Sequence, residues 1–284
     1  MHICLIYNSL MKNKIIKPIQ NYFVDWTLKR KMFLIVGISL LFINIIVSIL
    51  NFYSSATIVL EKINSQEIKE FLSENNLIPS ALATTWKTTM TFTNISNYIL
   101  AIMFIVYPFY WKNKKTQAFV FSSIVWISIT FLVYWTLISW NGVDWKNPLT
   151  AIKSLIVHVT NPLAGYIMFW IVRKDFEISR KTIWLNNLFI LSYFALALII
   201  FLVTYNFSNI STTKVNPYKA ADMTVYNFLN PVQPFFYNGT NIFVVLTLNF
   251  TMVLLGVFLS PGLAYLIKFI YKIKITKKTK TKND

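Results

Sequence analysis

Acidic residues are scarce in this sequence, and none lies in its long apolar runs. Ten Asp and Glu stand against 27 Lys and Arg. A proton-coupled carrier commonly keeps a carboxylate inside the membrane. A Ser-His-Asp triad needs an acid to orient its base. Neither arrangement finds its acid within the runs. The single cysteine, Cys4, excludes an internal disulfide framework. Two histidines, His2 and His158, with that one cysteine give no metal-ligand spacing. Six glycines form no phosphate-binding loop. No cofactor and no metal are therefore expected. Charged residues make up only 13% of the chain, about half the ~25% of a soluble domain.

Apolar residues fill the gap, at 56% of the chain, and they come in blocks. A block of about 20 apolar residues matches the ~30 Å of hydrocarbon that a helix must cross at about 1.5 Å per residue. Six such spans are expected, at Met32–Leu50, Thr91–Tyr110, Gln117–Leu137, Pro148–Val172, Trp184–Tyr205 and Asn241–Tyr271. The fold class expected is all-α, a polytopic membrane helix bundle of six transmembrane helices. Residues 1–31 form a basic N-terminal segment, 32–271 the transmembrane domain, and 272–284 a basic tail. "MHICLIYNSLMKNK" puts its short apolar run ahead of its charges, the reverse of a cleavable signal. Met1 and Met11 are both candidate starts.

The loops set the expected orientation. Of the 27 Lys and Arg, six precede the first span, three lie between spans 2 and 3, four between spans 4 and 5, and seven at the end. The other side of the membrane receives the remaining seven. By the positive-inside rule the rich side is the cytoplasm, so both termini are expected there, in the cell (plasma) membrane. The net charge of +17 thus reads as topology and not as a nucleic-acid footprint. The basic termini are expected to meet anionic lipid headgroups, with membrane lipids as the partners. Two loops on the opposite side are long. Ser54–Met90 holds "SQEIKEFLSENN", which reads as a short amphipathic helix. Asn206–Gly239 is polar and rich in Asn and Tyr, either a lid or a linker.

Polar groups inside the spans carry the functional information, because hydrocarbon penalises them unless they are paired. In span 4, Ser154, His158, Asn161 and Gly165 follow i, i+4, i+7, i+11 and share a helix face. Pro162 has no N–H, so the helical bond ending on the carbonyl of His158 is expected to be missing and the helix to kink there. The structural reading is a histidine bonded to a neighbouring helix. The functional one is a base or a ligand contact. In span 2, Thr91, Thr93, Ser96 and Asn97 follow "TTWKTTM". Hydroxyls at a helix start cap N–H groups, and inside a span they join helices. The alternative is a catalytic hydroxyl. His158 lies roughly 15 Å below the start of span 4. Thr91 and Thr93 lie just below Trp86 and Lys87, which read as interfacial anchors. All three fall in the outer half of the bilayer.

Three stretches resemble the androgen-induced-protein-like membrane family and its bacterial six-helix relatives, which include integral membrane proteins of mollicutes. They are "WKTTMTFTNISNYILAIMF", "LIVHVTNPLAG" and "VQPFF" at Val232–Phe236, in the family's order and spacing. The resemblance implies an integral membrane threonine hydrolase of lipid esters, with His158 as its histidine. Matching the "TF" of the pattern gives Thr91 as the nucleophile; matching T-x-x-S-N sets Thr93 on that motif and Met90 at the hydroxyl position, which leaves Thr93 as the alternative hydroxyl. A hydroxyl nucleophile needs a base within hydrogen-bond reach, and a neutral His serves. Asn97 and Asn161 are candidate oxyanion donors, and Ser154 a further substrate contact. Two other readings stand beside it. One is a non-catalytic membrane protein that keeps the fold. The other is a small-solute transport subunit, although the first span lacks the A-x-x-x-A docking pattern of vitamin-importer subunits.

Overall fold

Water is absent from the hydrocarbon core, so each apolar run must satisfy its own backbone and does so as a helix. The computed structural model describes residues 23–63, 70, 74, 87–142, 145, 147–205 and 224–276. Its helices are α1 (Leu28–Ile63), α2 (Phe92–Val106), α3 (Lys114–Val133), α4 (Pro148–Leu155), α5 (Asn161–Val172), α6 (Arg180–Thr204) and α7 (Ile242–Tyr271). Short side chains start most of them. Thr91, Asn113, Asn147, Ser179 and Asn241 each accept a backbone N–H in the first turn of α2, α3, α4, α6 and α7.

Five segments are long and apolar enough to cross a membrane: Leu28–Thr57, Lys114–Ile138, Pro148–Asp175, Arg180–Thr204 and Ile242–Tyr271. The sixth expected span is the short apolar helix α2, 15 residues or about 22 Å. The expected Thr91–Tyr110 ends early because residues 107–112 turn instead of continuing the helix. The chain is thus a helical bundle of membrane-spanning character. Within it, α3 is buried along most of its length, and α7 is the most peripheral.

Close packing of α1 on α2 depends on one glycine. A Cβ at Gly37 would lie 2.8 Å from the backbone nitrogen of Ile105, so only hydrogen fits. Small residues admit this approach between membrane helices. Beneath it sits an aromatic core. Phe33 meets Phe104 and Tyr107 at 4.7 Å between ring centroids. Tyr107 stacks on Phe176, and Phe169 packs on both Phe176 and Tyr271.

Four basic segments gather at this end. Arg30 donates to the Pro108 carbonyl at 2.8 Å and lies over Trp26. Lys29 pairs with Asp175 and Lys114 with Glu177. Beyond α7 the chain returns as a strand: β1 (Glu177–Ile178) and β2 (Lys274–Ile275) pair in parallel, a small addition to the all-α expectation. The start of α1, the α2–α3 turn, the α5–α6 loop and the segment after α7 thus share one end, as the loop charges require. The expected amphipathic helix at 65–76 lies, apart from Glu70 and Glu74, outside the described residues.

Candidate functional site

At the opposite end, two helices leave α geometry within reach of each other. Tyr134–Ile138 at the end of α3 and Ile156–Thr160 between α4 and α5 are both π turns. A π turn inserts one residue and recurs at functional positions. These two bring Tyr134 and His158 face to face, with ring centroids 3.7 Å apart and planes 8° from parallel. His158 is buried at 7% exposure. Its ring bonds the Thr130 backbone. Nδ1 is buried with no hydrogen-bond partner among the described residues. The Thr130 contact therefore lies on Nε2, which leaves Nδ1 as the open position of the ring.

The kink at Pro162 takes a form that α geometry did not predict. In the π turn the Asn161 N–H reaches Ile156, five residues back. In that register the N–H that Pro162 lacks would have met the carbonyl of Val157, not His158. Asn97 supplies the missing donor, its Nδ2 lying 3.2 Å from the Val157 oxygen. The same amide donates to the Thr93 carbonyl at 2.8 Å. Asn161 Nδ2 donates to Asn44 Oδ1 and Asn97 Oδ1, both at 2.7 Å. Three buried asparagines thus tie α1, α2 and α5 together. The donors of Asn97 and Asn161 are engaged, and neither residue lines the cavity in front of His158.

That cavity holds about 380 Å³. The structure brings Thr91, Thr93, Ser154 and His158 into its wall, from α2, α4 and the π turn. The stripe expected on span 4 is buried, while Leu163 and Ile167 on its reverse are exposed. Neither threonine is hydrogen-bonded to His158. Thr91 accepts the Asn94 N–H as the cap of α2. Thr93 Oγ1 lies 3.3 Å from the Tyr226 hydroxyl.

Several lining residues carried no sequence signal. Lys153 counted as a loop-edge lysine, yet it is only 6% exposed and its Nζ donates to Ser54 Oγ at 2.9 Å. Tyr134 was one aromatic among many in an apolar span. Tyr226 comes from the long loop at 206–239, whose described part, 224–239, covers the cavity. Asn249 of α7 pins that loop through the Pro231 carbonyl. Residues 206–223 lie outside the described residues.

A second, apolar cavity of about 130 Å³ adjoins the first, between α3, α6 and α7. Thr93, Tyr134, Ile138, Tyr226 and Phe228 line both. Phe235 and Phe236 of "VQPFF" face the apolar and the polar cavity respectively, and both have left-handed backbones, φ 51 and φ 64. Bulky residues there store strain of about 1–3 kcal/mol each, which clusters at ligand sites.

The chain is similar to an uncharacterized protein of Mycoplasma genitalium. The two are 25% identical over 191 residues, which cover 66% of this chain and 68% of that protein. No family model and no solved structure matches the chain.

Proposed function

We propose that this protein spans the cell membrane six times with both termini in the cytoplasm, and that it binds a lipid ester from the outer leaflet and hydrolyses it. One observation carries the proposal: a polar chamber holding His158 and an apolar slot share a wall. An ester lipid has this division, with its carbonyl where polar head meets acyl chain. Thr93 lies at that junction and Thr91 does not, which favours Thr93 as the nucleophile. In the proposed reaction the Thr93 hydroxyl gives its proton to Nδ1 of His158 as its oxygen attacks the ester carbonyl. The alcohol leaves with that proton. Water, activated by the same nitrogen, then frees the acid from Thr93. The Thr130 contact on Nε2 leaves Nδ1 open for that proton. Tyr226, beside Thr93, offers its hydroxyl to the developing oxyanion. The resemblance to androgen-induced-protein-like sequences supports the choice of His158 and leaves the threonine open between Thr91 and Thr93.

The six-span count rests on α2 crossing with the turn that follows it, and the cytoplasmic termini on the lysine-rich end. A second reading, a lipid-binding protein without turnover, draws on the Thr93 hydroxyl being bonded to Tyr226 instead of His158. The two separate in one assay of purified protein with a series of acyl esters. Hydrolysis by wild type, lost in Thr93→Val and kept in Thr91→Val, is the expected result. A wild type that is stabilised by the esters and cleaves none of them leaves only the binding reading.

A further inference from the structure

Another open space, larger than the cavity around His158, lies elsewhere in the bundle. A groove of about 830 Å³ lies between α3 and α6 at the basic end of the bundle. Its rim carries Lys114, Lys115 and Lys181, with one carboxylate, Glu177. Lys114 is occupied by Glu177 at 2.9 Å. Lys115 and Lys181 are exposed and pair with no described acid. Below the rim the walls turn apolar through Phe119, Leu185 and Leu188, all exposed. Lys181 to Leu188 descends roughly 10 Å along α6. The groove therefore offers two uncompensated cations at headgroup level and an apolar wall at acyl level. Ser179 and Thr182 add hydroxyls at the start of α6, whose N-terminal dipole favours an anion.

We infer that this groove holds one anionic phospholipid from the leaflet on the basic side, with its phosphate between Lys115 and Lys181 and an acyl chain along Leu185 and Leu188. Charge complementarity selects the occupant. A zwitterionic lipid brings its own cation to a rim that already has excess positive charge. A soluble anion leaves the apolar wall uncovered. The groove shares no lining residue with the cavity around His158, so the two assignments stand or fall separately.

Native mass spectrometry of the full chain, released from detergent with added phosphatidylglycerol or phosphatidylcholine of the same acyl chains, tests it. One phosphatidylglycerol should be retained in preference to phosphatidylcholine. The double variant Lys115→Gln, Lys181→Gln should weaken that retention roughly thirty-fold, the effect of two near-surface cations. Leu188→Glu, which sets a carboxylate on the acyl wall, gives an independent loss if the double variant fails to fold. Substituting the tail residues Lys277, Lys278, Lys280 and Lys282 with Gln should leave retention unchanged. Equal retention of both lipids, loss in the tail variant only, or displacement by inorganic phosphate would each overturn the assignment.

Discussion

At the basic end of the bundle, Phe33, Phe104, Tyr107, Phe169 and Phe176 fill the space between helices, and exposed ion pairs and a strand pair close the surface. At the other end the same helices lose regular geometry. Two π turns, two left-handed phenylalanines and an unpartnered histidine nitrogen surround open volume. The basic end has a packed aromatic core, with the groove between α3 and α6 open on its flank. The far end carries two strained phenylalanines and the orphaned His158 nitrogen around its cavity, whereas the orphaned amides of Gln117, Asn186 and Asn187 toward the basic end sit in packed surroundings. Substitutions should therefore divide the molecule. Those at the far end should change chemistry and spare stability, and those at the basic end should do the reverse.

The largest effect expected is at His158. His158→Phe keeps an aromatic ring against Tyr134 and removes the orphaned Nδ1. Ester turnover should fall by about 10²–10⁴-fold, the contribution of a general base. The melting temperature should change little, because the phenyl ring avoids the cost of an unpaired buried polar atom, about 1–3 kcal/mol, while giving up the bond to the Thr130 backbone, worth about 0.5–1.5 kcal/mol. A variant that unfolds would make His158 structural and erase the contrast between the ends.

Gly37→Ala tests the basic side. Its methyl would meet the backbone of Ile105 and Phe104, which no rotamer change relieves. The expected cost is about 1–3 kcal/mol, read as a lower thermal midpoint in detergent with turnover per folded molecule unchanged. A smaller loss follows from Asn161→Leu, which removes the amide joining α1, α2 and α5. Interhelical hydrogen bonds in membranes average about 0.6 and reach about 1.7 kcal/mol. Two such bonds are lost, and Asn44 and Asn97 are left without their donor. Asn161 backs onto the π turn, so this variant should affect both ends at once, with a modest fall in midpoint and a several-fold fall in turnover.

This division was only half legible in the chain. Apolar runs announce helices because hydrocarbon leaves the backbone no other partner, and the lysines of four separate segments foretold that those segments meet. Span 4's stripe of Ser154, His158, Asn161 and Gly165 was readable as a buried face. The π turns were not, since periodicity does not register one inserted residue. That insertion moved the orphaned carbonyl from His158 to Val157 and turned Asn97 from a candidate donor into a strut. Tyr226 reaches Thr93 across 133 positions, a juxtaposition that no local pattern encodes. Asn44 passed unnoticed in α1, because one polar residue in an apolar run declares no partner.

The smallest expected effect concerns the surface that closes the basic end. Lys114 holds the Glu177 carboxyl below the usual carboxylate range, through a hydrogen bond and then its charge, with Lys274 adding a little. A carboxyl lowered by folding stabilises the folded state fully above its unfolded pKa, and that contribution is lost as pH falls through the folded value. The Glu177 side chain is about half exposed, so solvent screens the pair and the contribution is slight. It acts where β1 meets β2, with the Thr276 N–H bonded to the Ile178 carbonyl at 2.9 Å. Glu177→Gln should therefore loosen the pairing of the C-terminal strand at neutral pH and change nothing in acid, where wild type is already protonated. Proteolysis of the tail across a pH series, in low salt, reads this directly. Cleavage should be faster in the variant near neutrality, and the two curves should merge as the carboxyl titrates. A tail cut at equal rates at every pH would show that the strand pair holds without the ion pair, leaving closure of the basic end to Phe176, Ile178 and Tyr271 packed beneath it.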